Sequence, residues 1–141
     1  MLDEKHLERV LEKNKISAEI LEFSESVIKS EEAKKVTRNK RIVKTILLIV
    51  DKKPLLCLLE GERRIDFDKI RKITGGSEVR LAKAKEVKEI TGYEVGALPP
   101  FAHLKDLETI VDKRLMNLPS DEVVYCGGGS SHHLMKIRLG E

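Results

Sequence analysis

A lysine interrupts what otherwise reads as a buried strand. The run Ile42-Val43-Lys44-Thr45-Ile46-Leu47-Leu48-Ile49-Val50 carries seven large apolar residues in nine, the pattern of a strand covered on both faces. An ammonium in such a place is costly unless it reaches water, an acidic partner or a bound anion. Two readings of Lys44 stand side by side: a snorkelling lysine at a strand end, or a lysine lining a pocket beside the sheet. Two further segments can do chemistry with backbone groups. Gly96-Ala97-Leu98-Pro99-Pro100 has the form GxxxP; its glycine permits unusual backbone angles and its prolines stiffen the loop, so fixed N–H and C=O groups can face a ligand. Val123-Val124-Tyr125-Cys126 runs into Gly127-Gly128-Gly129 and then Ser130-Ser131-His132-His133. Three glycines after a strand allow close backbone approach, and a histidine just beyond can serve as a general acid or base. Each segment also has a plain structural reading, as a rigid turn and a hairpin loop.

Several chemistries are disfavoured. The glycine run lacks the GK[ST] of a phosphate-binding loop, and no βαβ unit comes after it. Adjacent histidines on a strand point to opposite faces, so His132 and His133 do not suit one metal, and no metal or cofactor site is expected. Nothing marks Cys126 as activated, and no GxSxG elbow is present. Two cysteines without a CxxC pair fit a reduced, cytoplasmic protein. No apolar stretch is long enough to span a bilayer, and the segment from Met1 to His6 carries no apolar signal core.

The elements that must position these residues are set by the hydrophobic pattern. With 141 residues, 40% hydrophobic and 36% charged, residues 1–141 read as a single domain with a substantial core. Asp3 caps a first helix whose Leu7, Val10 and Leu11 form an apolar stripe. A strand is expected at Ala18–Phe23, and a short helix after Ser30. Ile42–Val50 and Leu55–Leu59 form a hairpin around a turn at Asp51–Pro54. Asp66 caps a helix ending before Gly75, and Lys83–Thr91 is a helix stopped by Gly92. Short strands are expected at Glu78–Leu81, Thr109–Val111, Val123–Tyr125 and Leu134–Leu139. Hairpins mixed with single short helices give an α+β domain with a mixed, barrel-like sheet.

Net charge is only +3, yet Lys29, Lys34, Lys35, Arg38, Lys40, Arg41 and Lys44 face just Glu31 and Glu32 between residues 29 and 44. That local excess suits a phosphate-bearing partner.

Taken together, the segments resemble the YbaK/ProX family of aminoacyl-tRNA editing domains, which also occurs as an insertion domain in bacterial prolyl-tRNA synthetases. The matching text is Ile42-Val43-Lys44-Thr45-Ile46; Leu59-Glu60-Gly61-Glu62-Arg63-Arg64-Ile65-Asp66, close to the family form GDRRLD; Val79-Arg80-Leu81-Ala82; Thr91-Gly92-Tyr93-Glu94-Val95-Gly96; Pro99-Pro100-Phe101; and Val123-Val124-Tyr125 leading to the glycine loop. The likeness runs over residues 5–139. It implies the family's fold and the metal-independent hydrolysis of the ester joining a mischarged small amino acid (alanine, serine or cysteine) to tRNA. It also implies aminoacyl-tRNA and a synthetase such as prolyl-tRNA synthetase as partners. With tRNA as the phosphate-bearing partner, Arg38, Lys40 and Arg41 of the basic segment become its docking residues. By the same resemblance Lys44, Gly96 and His133 form the catalytic set. Thr45, Ala97, Leu98, Pro99, Pro100, Gly127, Gly128, Gly129 and His132 contact the substrate. The cysteinyl-specific branch carries a serine in the glycine loop and an aspartate a few residues on; here the loop is all glycine and the later position falls near Met135. Branches acting on alanyl-tRNA have a histidine in this region, as this chain does. The alternatives are a non-catalytic module that binds tRNA ends or a synthetase through the same pocket, and a small-nucleotide-binding protein.

Overall fold

The computed structural model describes residues 1–27, 41–61 and 63–141. The expected helix after Ser30, and with it Arg38 and Lys40, lies outside the described residues. Asp3 caps α1 (Glu4–Lys13), its carboxylate accepting from the N–H groups of Lys5 and His6, and Leu7 and Leu11 are buried. The apolar run forms β2 (Val43–Val50), after β1 (Ala18–Glu22), and turns back as β3 (Lys53–Glu60). Asp66 caps α2 (Phe67–Thr74), which ends at Gly75 in the left-handed conformation. β4 (Val79–Leu81) leads to α3 (Ala84–Thr91), closed by left-handed Gly92. Then come β5 (Thr109–Val111), α4 (Lys113–Met116), β6 (Val123–Gly127) and β7 (His133–Arg138).

The strands form two sheets, one in the order β1-β7-β6 and one in the order β4-β2-β3-β5. All pairs are antiparallel except β3–β5, so the second sheet is mixed as expected. Among the described residues, one parallel backbone bridge joins the sheets, Ile42 to Tyr125. Leu7, Val43, Leu115, Val124 and Met135 pack where α1 meets both sheets. On the opposite face of β2 and β3, Leu48, Leu55, Cys57 and Leu59 pack against Ile70 of α2. Arg41 fastens the seam between the sheets through ion pairs with Glu60 (2.8 Å) and Glu122 (3.4 Å).

Local differences from expectation have local causes. The hairpin turn is only Asp51-Lys52, with Val50 opposite Lys53, so Pro54 lies in the strand instead of the turn. Both turn residues have positive φ, 46° and 72°, the conformation of a tight two-residue turn. Asp51 tolerates it because its carboxylate accepts from the N–H groups of Ser77 and Glu78 (2.8–3.1 Å), which also holds its pKa below the usual range. Lys52 carries the strain without such a return. Left-handed geometry costs a side chain about 1–2 kcal/mol, against about 0.5–1 kcal/mol of extra chain entropy for glycine. Lys52→Gly is therefore expected to stabilise the fold by about 0.5–1 kcal/mol, measured by chemical denaturation. Equal or lower stability would mean that the lysine makes a compensating contact.

Candidate functional site

The site arises from a gap in strand pairing. β4 pairs with β2 only from Leu48 onward, and β6 meets the chain beside β2 only at Ile42. Between them the edge of β2 from Val43 to Leu47 is paired by no described strand, apart from the Leu47 carbonyl, which accepts from Ala82 N–H (3.0 Å). A cavity of about 310 Å³ opens there. Its wall is mainly aliphatic, including Val27, Ile42, Leu47, Leu81, Val87, Val95, Leu98 and Leu134, with Lys44 and Thr45 as its polar side chains. Gly96, Leu98 and Gly127 close the opposite side. Residues 44, 45, 96, 98 and 127, picked out from three distant stretches of sequence, thus meet around one space.

Lys44 lies where the cavity meets the edge of the sheet. Strand alternation puts it on the face of β2 shared by Ile46 and Leu48, toward α2. Burial lowers its pKa below 10.5, the nearby positive charge of Arg64 lowers it further, and Cys57 opposes the shift. Thr45 Oγ1 is buried and has no hydrogen-bond partner among the described residues, an arrangement that a bound polar group would relieve.

The opposite wall is held rigid. Gly96 has φ +86°, a conformation open to glycine at little cost. Ala97 N–H donates to the Glu94 carbonyl (3.2 Å), and the Ala97 carbonyl accepts from Gly129 N–H (3.0 Å). The Pro99 carbonyl accepts from the His103 ring Nε2 (2.7 Å), the Tyr93 hydroxyl donates to the Ala102 carbonyl (2.8 Å), and the Tyr93 and His103 rings meet edge to face. Pattern reading does not single out this His103–Tyr93 bracing, because its partners are backbone carbonyls that leave no side-chain signature.

Other expected site residues fall elsewhere. Ala97 and Pro99 are buried behind the wall, and Pro100 lines a separate cavity near Phe101 and Leu115. The glycine run packs against the chain itself: a Cβ on Gly127 would strike the Leu98 backbone, one on Gly128 the His133 backbone, and one on Gly129 the start of α1. Neither histidine is among the described cavity-lining residues. His132 lies in the turn instead of on a strand, exposed and bonded to Ser131 Oγ (2.9 Å). His133 opens β7, and its Nδ1 is bonded to Ser130 Oγ. Arg41 is engaged with its two glutamates. Cys126 lines the cavity, but burial pushes its thiol up to about 12, which deprives it of thiolate at neutral pH. Among the described residues no group of three or more His, Cys, Asp or Glu could hold a metal ion, and no helix is long and apolar enough to cross a membrane.

Comparison with known proteins places this fold. The chain is similar to a proline–tRNA ligase of Maridesulfovibrio salexigens, 34% identical over 100 residues, which is 71% of this chain and 17% of the ligase. A proline–tRNA ligase of Bacillus cereus is 32% identical over 78 residues, 55% of this chain and 14% of the ligase. The chain therefore spans about a sixth of the length of these relatives. Among solved structures, the hypothetical protein APE2540 superposes with a TM-score of 0.85 at 26% identity, over 96% of this chain and 89% of that one. A candidate trans-editing enzyme for prolyl tRNA synthetase superposes with a TM-score of 0.84 at 27% identity, over 96% of this chain and 85% of its own. Residues 24–141 match the aminoacyl-tRNA editing domain as a family, and to that family this chain belongs.

Proposed function

We propose that the chain is an aminoacyl-tRNA deacylase, acting in trans and without a metal, that clears small amino acids such as alanine, serine or cysteine from mischarged tRNA. The observation that carries this reading is the convergence of Lys44, Thr45, Gly96, Leu98 and Gly127 on one mainly aliphatic cavity of about 310 Å³. That volume lies at the small end of ligand pockets, about 300–1,000 Å³, and so favours a small side chain. A hydrophobic pocket distinguishes single methylenes by only about 1–3 kcal/mol, which is why a second, hydrolytic check on charging is useful. The in-trans mode draws support from the likeness to the candidate trans-editing enzyme, and tRNA-Pro as substrate from the likeness to proline–tRNA ligases. Prolyl-tRNA synthetase is the partner this implies.

In the proposed reaction a water molecule adds to the ester carbonyl. The bond from that carbon to the ribose oxygen breaks, the ribose oxygen takes up a proton, and a free amino acid and uncharged tRNA leave. Lys44 holds the ribose–phosphate end of the substrate by charge, and Thr45 offers its hydroxyl. Backbone groups of Gly96–Leu98 and the Gly127 end of β6 frame the carbonyl. Fixed positions and dipoles carry the rate. His133 takes part only from behind this wall, through Ser130 and the turn that leads into β7.

The test is deacylation of Ala-, Ser-, Cys- and Pro-tRNA-Pro with EDTA present. Rapid loss of one or two small-amino-acid species is expected, with Pro-tRNA-Pro spared. A folded protein that hydrolyses none of them would leave a tRNA-end binding module, and loss of activity in EDTA would overturn the metal-free reading.

A further inference from the structure

A second cavity, of about 330 Å³, lies on the other face of the sheet, between α2, β3 and β5. Its floor is apolar, with Leu59, Ile70 and Ile110, and Ile73 stands beside it 60% exposed. Its rim is basic: Arg63, Arg64, Lys69 and Lys113 against Asp66 and Asp112. Both acids are already occupied. Asp66 accepts from Lys69 N–H at the start of α2 (3.1 Å). Asp112 accepts from Arg114 N–H at the start of α4 (3.2 Å) and pairs with Arg63 (3.2 Å). Arg64, Lys69 and Lys113 make no ion pair with a carboxylate among the described residues.

We propose that this basic-rimmed cavity is a subsite for the unpaired nucleotides just upstream of the esterified adenosine at the tRNA 3′ end, with phosphates held by Arg64, Lys69 and Lys113. The inference rests on the deacylase reading, because it traces the nucleic-acid strand that must leave the first cavity. Lys44 lines that first cavity and sits on β2 directly opposite Leu59 of β3, which lines the second. Neighbouring strands lie about 4.8 Å apart, so Lys44 and the second cavity's lining at Leu59 are one strand spacing apart. The field of Arg64 at Lys44 is the electrostatic trace of that proximity: an anion lying between two cations would be attracted by both. Single-stranded nucleic acid is held by a positive groove that tracks its backbone, commonly beside aromatic side chains on which its bases stack. Arg64, Lys69 and Lys113 supply the groove; among the described residues no aromatic side chain lines it, so the cavity holds the strand by its phosphates, with the exposed Ile73 as apolar surface beside them.

The experiment compares the wild type with Lys69→Glu/Lys113→Glu and with Lys72→Glu/Lys88→Glu. Lys72 and Lys88 lie off both cavities and bring the same change in net charge. Binding of a labelled RNA tetranucleotide ending in cytidine-cytidine-adenosine is followed by anisotropy across a salt series. The Lys69/Lys113 variant is expected to bind about tenfold more weakly, with a salt slope smaller by about 1.4 for two lost single-strand phosphate contacts. The control should lose distinctly less. The Lys69/Lys113 variant's kcat/KM on aminoacyl-tRNA should also fall about tenfold more than on the 2′(3′)-O-aminoacyl-adenosine ester, which lacks those nucleotides. Unchanged affinity and slope, an equal loss in the control, or equal losses on both esters would each overturn the subsite. If binding of prolyl-tRNA synthetase is lost while RNA binding is untouched, the surface is a protein-docking one and the subsite is likewise overturned. A wild type that hydrolyses neither ester, yet binds the RNA through these lysines, would fail as a deacylase and keep the subsite.

Discussion

Lys44→Ala is expected to remain folded and to lose at least about a hundredfold in deacylation, the scale on which removal of one preorganised electrostatic group is felt. The side chain is half-buried at a strand edge and makes no ion pair with a described carboxylate, so truncation leaves no buried charge unpaired. Lys44→Arg is expected to fail nearly as badly. Arginine offers a rigid planar fork where the cavity edge holds a compact point charge, with Arg64 already near. The pH profile carries its own sign. Burial and then the charge of Arg64 lower the pKa of Lys44 below 10.5, so the active ammonium is present below that lowered pKa and is lost above it. After subtraction of uncatalysed ester hydrolysis, the enzymatic rate should turn down below pH 10.5. Arg64→Ala should move that limb upward by removing the charge that adds to burial in depressing it. Wild-type rates in either Lys44 variant, or an alkaline limb indifferent to Arg64, would remove Lys44 from the chemistry.

The parts of the fold set by local rules are open to sequence reading. The apolar runs of β2 and β3, the caps at Asp3 and Asp66, and the terminating glycines Gly75 and Gly92 each leave a signature within a few residues. α4 leaves none: at four residues, capped by Asp112, it is too short for any periodicity to show. The site is legible as a set of segments but not as a shape. That Lys44, Gly96 and Gly127 meet depends on β4 and β6 each stopping short along the edge of β2, which is a property of register between distant strands. Arg41 illustrates the same limit. Its sequence neighbours are basic and suggest a free cation, while the glutamates that engage it lie 19 and 81 positions away. The triple glycine does mark a place of close backbone approach, but what approaches is this chain's own loop and helix.

That close approach sets the second large expected effect. A Cβ on Gly127 would lie 2.6 Å from the Leu98 carbonyl carbon and 3.0 Å from that of Ala97, with the Leu98 oxygen nearer still. These obstacles are backbone atoms, so no rotamer change relieves them. Overpacking of this kind typically costs about 1–3 kcal/mol, and Gly127→Ala should sit at the upper end, with Tm falling by roughly 10 °C. The strand and the loop can separate only by moving the wall of the cavity itself. A displacement of about 1 Å in a positioning element costs about a hundredfold in rate, so kcat/KM per folded molecule should fall by that order well below the new Tm. Gly75→Ala supplies the comparison. Gly75 has φ +73° and open space around its Cβ position, so alanine there adds backbone strain of about 1–2 kcal/mol far from the cavity. It should lower Tm and spare the rate. If Gly127→Ala loses stability but keeps its rate per folded molecule, Gly127 is packing alone and the β6 end does not frame the ester. If both stability and rate survive, β6 and Leu98 separate freely without moving the wall, and the cavity must be closed by other residues.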